Sequence, residues 1–346
     1  MMKASVIEHK LQFKRPAGTS RGVLNHRRVW YLVLEKEGRT GVGECAPLPG
    51  LSAETIPGVE RALALLAADP DGFCARVDRQ NMPSSIRFAV ETALKDLEGG
   101  ESQILFPSSF TRGETGIPIN GLIWMGEPSF MKEQVRQKLD LGWRCIKFKI
   151  GALQFDEELA ILKSIRAEYS ADDIILRVDA NGGFSPDEVL DRLGQLAELD
   201  LHSIEQPIAK GQWSQMAQVC KQSPLDIAFD EELIGITARE DKIRLLATLA
   251  PHYLVLKPSL HGGMSGCDEW IELADERGVG WWVTSYLESN LGLNAIAQWA
   301  FLKQPHLHQG LGTGQLFTNN MASPLEIRGD ELFFDPGKRF IFPGLF

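Results

Sequence analysis

Three acidic residues and three lysines lie in short apolar runs of the sequence or directly after them. The acids, in the runs RVDANG, SIEQP and AFDEE, are Asp179, Glu205 and Asp230. The lysines are Lys147, Lys149 and Lys257. Three carboxylates of this kind are typical of a site for a hard cation such as Mg²⁺, for which Mn²⁺ can substitute. A deprotonated lysine is a competent base, so the set indicates metal-dependent proton transfer.

The positions of the lysines determine what they can do. Lys147 and Lys149 are two residues apart on a predicted strand, so their side chains point to the same face. Their mutual repulsion is expected to lower the ammonium pKa and to make one of them a base. Ile146 and Ile150 flank the pair, which favours a buried strand over a solvated charged face. Lys257 follows a strand on the other side of the predicted structure and would approach a bound substrate from the opposite face.

The third acid has two neighbours that could replace it. Glu231 and Glu232 follow Asp230 directly, and all three side chains offer the oxygen ligands that Mg²⁺ prefers. The sequence therefore leaves Asp230 as the least constrained member of the predicted metal site.

The runs that carry these residues recur along the chain, with helical patterns between them. They cover residues 117–124, 144–151, 174–182, 202–207, 226–232, 253–259, 281–288 and 306–314. Corresponding positions in consecutive runs are 25 to 30 residues apart, close to the roughly 30 residues of one βα unit. Eight such runs predict a (β/α)8-type barrel, in which catalytic residues lie at the C-terminal ends of the strands. An open doubly wound sheet is the alternative.

The first hundred residues have a different pattern, which predicts an α+β unit. Its predicted elements are strands at 3–13 and 28–37 and helices at 54–68 and 84–98. We expect a capping domain over 1–105, a catalytic barrel over 106–318, and a C-terminal segment over 319–346 that returns to the cap.

Composition limits the classes of partner. The 346 residues are 44% hydrophobic and 24% charged, as in an ordinary globular enzyme, and the formal net charge of −10 argues against nucleic acid. The chain begins with a strand pattern and has no apolar run of about 18 residues, so no membrane partner is expected. Five scattered cysteines without a C-x-x-C pair predict reduced thiols and a cytoplasmic protein. A small carboxylate substrate remains compatible with this charge, and so does a homo-oligomer.

The K-x-K pair, the three acids and Lys257 together resemble the enolase superfamily, and within it the muconate-lactonizing-enzyme subgroup. The resemblance covers essentially the whole chain and implies a modified (β/α)8-type TIM barrel with an N-terminal α+β cap. Further stretches are similar to the o-succinylbenzoate synthase family. These are TSRGVLNHR at 19–27, GECAPLPGLS at 43–52, TSYLESNLGLNAIAQWA at 284–300 and GLGTGQLF at 310–317.

This resemblance implies a lyase of menaquinone biosynthesis that dehydrates 2-succinyl-6-hydroxy-2,4-cyclohexadiene-1-carboxylate to o-succinylbenzoate. Lys149 would remove the proton beside the carboxylate and, once protonated, assist the departure of hydroxide from the same face. Lys257 would stay protonated and stabilise the enediolate, through a cation–π contact with the forming ring. Lys147 would tune Lys149 or touch the carboxylate. Asn181 would lie near the substrate.

Substrate contacts are expected from three further regions. The stretch 15–28 contains four arginines, among them Arg21, and is interpreted either as a solvated basic turn or as a mobile lid over a dicarboxylate. Ser285 would contact the succinyl chain. Gly310 and Gly312, at the end of the eighth run, would leave room for an acyl group.

Other reactions of the same superfamily remain open. An N-acylamino-acid racemase or a dipeptide epimerase would also need lysines on both faces of the substrate. Dipeptide epimerases carry Asp-x-Asp on the eighth strand, whereas this chain has glycines there, from Gly310 to Gly314. A catalytically inactive barrel that acts as a binding protein is the alternative of another class, and the complete set of lysines and acids argues against it.

Overall fold

The computed structural model describes residues 1–19, 22–76, 82–100, 102–123, 127–151 and 154–342. The chain begins with an antiparallel sheet whose strands are β1 (Lys3–Thr19), β2 (Gly22–Lys36) and β3 (Arg39–Cys45). Three helices follow: α1 (Ile56–Ala68), α2 (Pro70–Arg76) and α3 (Ser84–Gly99). The two predicted helices correspond to α1 and α3, whereas α2 was not predicted.

The prediction of a loop at 15–28 is wrong for the described residues of that stretch. β1 and β2 continue as a paired hairpin as far as Thr19 and Gly22, after a register shift between Gln12 and Ala17. The register shift leaves residues 13–16 out of the pairing with β2, and Pro16 among them has no backbone N–H to donate to a neighbouring strand. Arg21 lies outside the described residues.

Both faces of β2 are buried from Val29 to Leu34, which explains the unbroken apolar run there. One face packs on the cap helices through Trp30, Leu32 and Leu34. The other face packs through Val29, Tyr31 and Val33 against Leu291, Phe317 and Met321. Because the second group belongs to the C-terminal half of the chain, the cap sheet is sandwiched between its own helices and the barrel.

Seven parallel strands form the barrel sheet in the order β11-β10-β9-β8-β7-β6-β5. They are β5 (Gly121–Ile123), β6 (Cys145–Lys149), β7 (Ile175–Asp179), β8 (Ser203–Glu205), β9 (Ile227–Phe229), β10 (Tyr253–Leu256) and β11 (Gly280–Val283). The surrounding helices are α4 (Pro128–Asp140), α5 (Phe155–Arg166), α6 (Val189–Ala197), α7 (Trp213–Gln222), α8 (Arg239–Leu249), α9 (Gly263–Asp275) and α10 (Asn290–Leu302). This arrangement confirms the modified barrel.

The eighth predicted run, 306–314, closes the barrel without forming a strand. Isolated parallel bridges join Gly310 to Thr284 on one side and Gln309 to Ile119 on the other. A Cβ on Gly310 would collide with the Thr284 side chain, so the close approach needs glycine. Barrel closure alone therefore explains why residue 310 is glycine. The substrate contact predicted for Gly310 from sequence is a separate role.

A small sheet flanks the start of the barrel. It consists of β4 (Ile117–Pro118), β12 (Leu325–Arg328) and β13 (Glu331–Phe334), in the order β12-β13-β4. The end of the chain thus contacts the barrel through this sheet and the cap through Phe317 and Met321. The division into three domains stays a prediction.

Two expectations from composition concern reduced cysteines and the lack of a membrane span. All five cysteines are free, and four are buried, including Cys145 on β6. Burial raises the pKa of the Cys145 thiol to about 11, which makes it a poor nucleophile. None of the helices in the described ranges is long and apolar enough to cross a bilayer.

The close contact between β3 and α3 yields a stability prediction. A Cβ on Gly43 would collide with the Ala89 carbonyl and lie 2.5 Å from Thr92 Oγ1. We expect Gly43→Ala to lower the free energy of unfolding by about 1–3 kcal/mol, the usual cost of overpacking, measured by urea denaturation.

Gly194 on α6 provides the matched control, because a Cβ there meets open space among the described residues. Gly194→Ala is expected to raise the free energy of unfolding by up to about 1 kcal/mol through helix propensity. Equal stability of Gly43→Ala and the parent protein would contradict the packing of the cap described above.

Candidate active site

The acids and lysines singled out in the sequence meet at one end of the barrel. Asp179 and Glu205 end β7 and β8, whereas Asp230 and Lys257 directly follow β9 and β10. The strand register pairs Lys149 with Asp179, and Asp179 with Glu205. The side chains therefore lie at the same level of the sheet, at the C-terminal ends of parallel strands where active sites of barrels are built.

Lys147 is enclosed by two carboxylates. Its Nζ donates to Glu205 Oε2 at 2.5 Å and lies 2.9 Å from Asp179 Oδ2. Burial alone would lower its pKa, but the charges of Asp179 and Glu205 outweigh burial and hold the pKa above its ordinary value. The expectation that repulsion lowers the pKa of this lysine is therefore wrong, because the acids at the ends of β7 and β8 compensate it.

Lys149 makes fewer contacts with carboxylates. Its Nζ lies 3.2 Å from Asp179 Oδ2 and donates to the side-chain oxygen of Asn181 at 2.7 Å. The Asn181 amide in turn donates to Glu231 Oε1 at 3.0 Å. Asn181 thus orients the ammonium of Lys149, and its predicted position near the substrate stays a prediction.

Lys257 forms an ion pair with Asp230 on the other side of the barrel. Both side chains are buried, with 10% and 3% of their surface exposed. Burial would lower the pKa of Lys257, but Asp230 and Glu205 hold it above its ordinary value. This lysine is therefore a fixed cation facing Lys147 and Lys149 across the carboxylates.

Glu231 and Glu232 are engaged elsewhere. Glu231 receives the Asn181 amide, and burial together with the Asp230 charge raises its pKa to about 7. Glu232 accepts hydrogen bonds from Gln206 Nε2 at 3.1 Å and from the Gly211 amide at 3.0 Å. These contacts leave Asp230 as the acid that lies with Asp179 and Glu205.

The donor set fits a divalent cation. Oε1 of Glu205 and Oδ1 of Asp230 are buried and accept no hydrogen bond from any described residue. Burial and the neighbouring carboxylate of Asp179 raise the pKa of Glu205 to about 8, as expected where like charges crowd together. Asp179, Glu205 and Asp230 are the residues that would hold the ion.

Lysine ammonium groups lie between these carboxylates. Across the described ranges, no three acidic, histidine or cysteine side chains converge as a ready-made metal-binding cluster. A cation at this site would therefore compete with Lys147 for Asp179 and Glu205 and with Lys257 for Asp230.

Ser285, Gly310 and Gly312 are the other described residues that were predicted to contact the substrate. Ser285 is buried, and its hydroxyl lies 2.5 Å from Thr313 Oγ1. The Gly310 carbonyl accepts from the Ser285 amide at 3.1 Å, which keeps both next to the barrel mouth. Gly312 is half-buried, and a Cβ there would meet its nearest neighbour, Ile119, at 3.7 Å.

Several residues near the site were not assigned a role from sequence. His261 is buried, its Nδ1 accepts from the Lys257 amide at 3.1 Å, and burial lowers its pKa to about 3. The Tyr286 ring lies 5.9 Å from Lys257 Nζ. Arg27 stacks on the same ring at 4.9 Å. Local sequence does not indicate these positions, because they depend on contacts between distant parts of the chain. Only Tyr286 could have been linked to the site from sequence, through its neighbour Ser285.

Comparison with known proteins identifies the class. A family model described as "Enolase C-terminal domain-like" matches residues 130–332, and one described as "MenC, N-terminal domain" matches residues 1–97. The L-Ala-D/L-Glu epimerase of Bacillus subtilis superposes with a TM-score of 0.82 at 20% identity, over 98% of each chain, a likeness that shows the fold alone. The chain belongs to the enolase superfamily, whose enzymes use a divalent metal ion.

Its family within that class follows from two further matches. The o-succinylbenzoate synthase of Desulfotalea psychrophila is 48% identical, over 95% of this chain and 98% of that protein. The crystal structure of MenC from the same organism superposes with a TM-score of 0.86 at 44% identity, over 96% and 99% of the two chains. The chain is a member of the o-succinylbenzoate synthase family.

The role of Asp179 can be tested through metal affinity. We expect Asp179→Asn to weaken Mg²⁺ binding, measured by isothermal titration calorimetry, because an amide replaces an anionic oxygen ligand. Asp191→Asn, the same change at an exposed position of α6, serves as the control and should bind Mg²⁺ like the parent. Unchanged affinity in Asp179→Asn would show that Asp179 is not a ligand.

Proposed function

We propose that the chain catalyses the Mg²⁺-dependent syn-dehydration of 2-succinyl-6-hydroxy-2,4-cyclohexadiene-1-carboxylate to o-succinylbenzoate, in menaquinone biosynthesis. The observation that carries this proposal is the 48% identity with a synthase of that name along nearly the whole of both chains. A hydrophobic dipeptide epimerase from a Flavobacteria bacterium matches at a lower identity, 27%, and over a smaller part of the chain, 64%. The difference between the two matches favours dehydration over epimerisation.

Lys149 is the proposed base. Lys147 is paired with both Asp179 and Glu205 and has a raised pKa, so it is poorly suited to accept a proton. Lys149 has a longer contact, 3.2 Å, with a single carboxylate and an amide oxygen as its other partner. Because fewer carboxylates enclose it, Lys149 is assigned as the base and Lys147 as the fixed cation.

Lys149 removes the proton from the ring carbon that bears the carboxylate, and the electron pair of that C–H bond passes into the carboxylate to give the enediolate. The resulting ammonium then returns the proton to the leaving hydroxyl group: the enediolate electrons form the new ring double bond, the C–O bond breaks and water departs. Because one side chain serves both steps, proton and hydroxyl leave from the same face. Lys147 remains charged and neutralises the adjacent carboxylates.

Lys257 faces the substrate from the opposite side and stays protonated. Its ion pair with Asp230 and its raised pKa suit a fixed positive charge that stabilises the enediolate. A bound Mg²⁺, or Mn²⁺ in its place, would hold the substrate carboxylate and offset the negative charge that develops on it. Asp179, Glu205 and Asp230 would hold the ion.

The remaining contacts define the substrate pocket. Asn181 orients Lys149, and Ser285 offers its hydroxyl to the succinyl chain. Gly310 and Gly312 leave space beside them, and Arg21, outside the described residues, is proposed to bind a substrate carboxylate from the cap.

Replacement of the base tests the assignment of roles. Lys149→Ala should lower kcat by about 10²–10⁴-fold or more, the usual contribution of a general base, while Mg²⁺ affinity and thermal stability stay close to those of the parent. Lys163→Ala, at an exposed position of α5, is the matched control and should keep full activity. Retention of more than about 1% of the parent kcat by Lys149→Ala would rule out this base.

The substrate is tested with the purified protein. We expect formation of o-succinylbenzoate from the cyclohexadiene precursor, followed by the absorbance of the aromatic product. N-acylamino acids and dipeptides, followed by polarimetry, should react more slowly. Rapid racemisation of an N-acylamino acid without dehydration would assign the chain to the alternative reaction, and inactivity on every compound would favour a binding protein.

A further inference from the structure

The segment 284–289 joins β11 to α10 and carries Ser285 and Tyr286 at the barrel mouth. Leu287, within it, has a φ of 59°, a left-handed conformation that is costly for a residue with a branched side chain. Such a conformation persists only where surrounding contacts hold it. The segment therefore depends on groups outside itself.

One such group is the guanidinium of Arg27, which reaches the segment from β2 of the cap. Arg27 is 2% exposed and donates to the backbone carbonyls of both Tyr286 and Ala46. Its Cζ also lies 4.9 Å from the centre of the Tyr286 ring. A single buried cation thus ties the segment to the cap through the backbone and the side chain of the same tyrosine.

The tyrosine held in this way lies beside a proposed catalytic lysine. Lys257 Nζ is 5.9 Å from the centre of the Tyr286 ring. Glu288 joins the segment 284–289 to the loop that begins at Lys257. Its carboxylate accepts from the Tyr286 amide and from the Ser259 hydroxyl, both at 2.5 Å. A shift of Tyr286 would consequently be transmitted to the loop that begins at Lys257.

The far end of the segment is held by a cap residue of opposite charge. Glu44 on β3 accepts from the Ser289 amide at 2.8 Å, from its hydroxyl at 2.5 Å and from the Gly292 amide at 2.9 Å. A carboxylate is favourable at this position because the first amides of a helix carry partial positive charge. Arg27 and Glu44 therefore fasten the two ends of one segment to the same sheet.

We propose that Arg27 is a positioning residue of the active site, which sets Tyr286 beside Lys257 and so places the cation that stabilises the enediolate. This inference rests on the proposed function. Arg27 forms no hydrogen bond or ion pair with Asp179 or Glu205 among those of the described residues. Its effect is therefore on the rate of the chemical step and not on metal affinity.

The test compares Arg27→Met with the parent in the dehydration assay at saturating Mg²⁺. We expect kcat to fall about 10- to 100-fold, the size of effect seen when catalytic groups are displaced by about 1 Å, while KM and the calorimetric Mg²⁺ affinity stay near the parent values. Arg27→Lys keeps the charge but loses the two-pronged donor geometry, so its kcat should lie between those of Arg27→Met and the parent.

Arg28→Met is the matched control. Arg28 is the next residue of β2 but pairs with Glu8 and Glu60 at the surface, so its loss should leave kcat unchanged. Parent-like kcat in Arg27→Met would overturn the proposal, and so would a rise in KM and a loss of metal affinity of the same size as the fall in kcat.

Two further outcomes are separated by the same set of proteins. If Arg27→Met does not fold, Arg27→Lys decides: a reduced kcat at parent KM supports the proposal, and parent kcat contradicts it, because then only the charge is needed for folding. If the parent itself fails to dehydrate the precursor, the proposed function fails. The role of Arg27 is then tested by the same kcat comparison on whichever compound of the panel reacts.

Discussion

Asp179, Glu205 and Asp230 are buried together at one end of the barrel, and the balance of their charge governs the arrangement of the lysines around them. An isolated carboxylate in such surroundings costs several kcal/mol, so each must be compensated by a cation in contact. Lys147 and Lys257 provide that compensation here, with their pKa values raised in return. The same crowding raises the pKa of Glu205, so a divalent cation at this position would relieve the repulsion between the carboxylates.

Lys147, Lys149 and Lys257 have identical side chains but different electrostatic surroundings, which suit them to different roles. A lysine paired with buried carboxylates stays charged: Lys147 pairs with Asp179 and Glu205, and Lys257 pairs with Asp230. Lys149 shares Asp179 with Lys147 and is oriented by the neutral amide of Asn181. The proposed base thus lies beside one fixed cation, Lys147, with the other, Lys257, on the opposite side, an arrangement suited to removal of a proton from a weak carbon acid followed by loss of hydroxide.

The cap contributes more than a cover to this end of the barrel. β2 is buried between the cap helices and the barrel, and it sends Arg27 to the segment that carries Tyr286, while β3 sends Glu44 to the start of α10. Arg27 and Glu44, which have opposite charges and lie on adjacent strands, therefore fix the orientation of the segment 284–289 relative to the cap sheet.

Much of this could be predicted from local pattern. The regular spacing of apolar runs predicted the barrel, and the placement of acids and lysines at the ends of those runs brought Asp179, Glu205 and Lys257 to the same region, as the structure has them. Features that depend on long-range contact could not be predicted in this way. The pairing of residues 17–24 beyond the register shift, the closure of the barrel at Gly310 and the compensated pKa of Lys147 each require neighbours that are distant in sequence. The same is true of Arg27, which contacts Tyr286.

A crystal structure with Mg²⁺ and o-succinylbenzoate would locate the cation and both lysines at once. We expect Asp179, Glu205 and Asp230 oxygens at about 2.0–2.1 Å from the ion, with the Lys149 and Lys257 nitrogens on opposite sides of the product ring. If the ion binds away from these carboxylates, or if both lysines lie on one side of the ring, the three carboxylates do not form the proposed site.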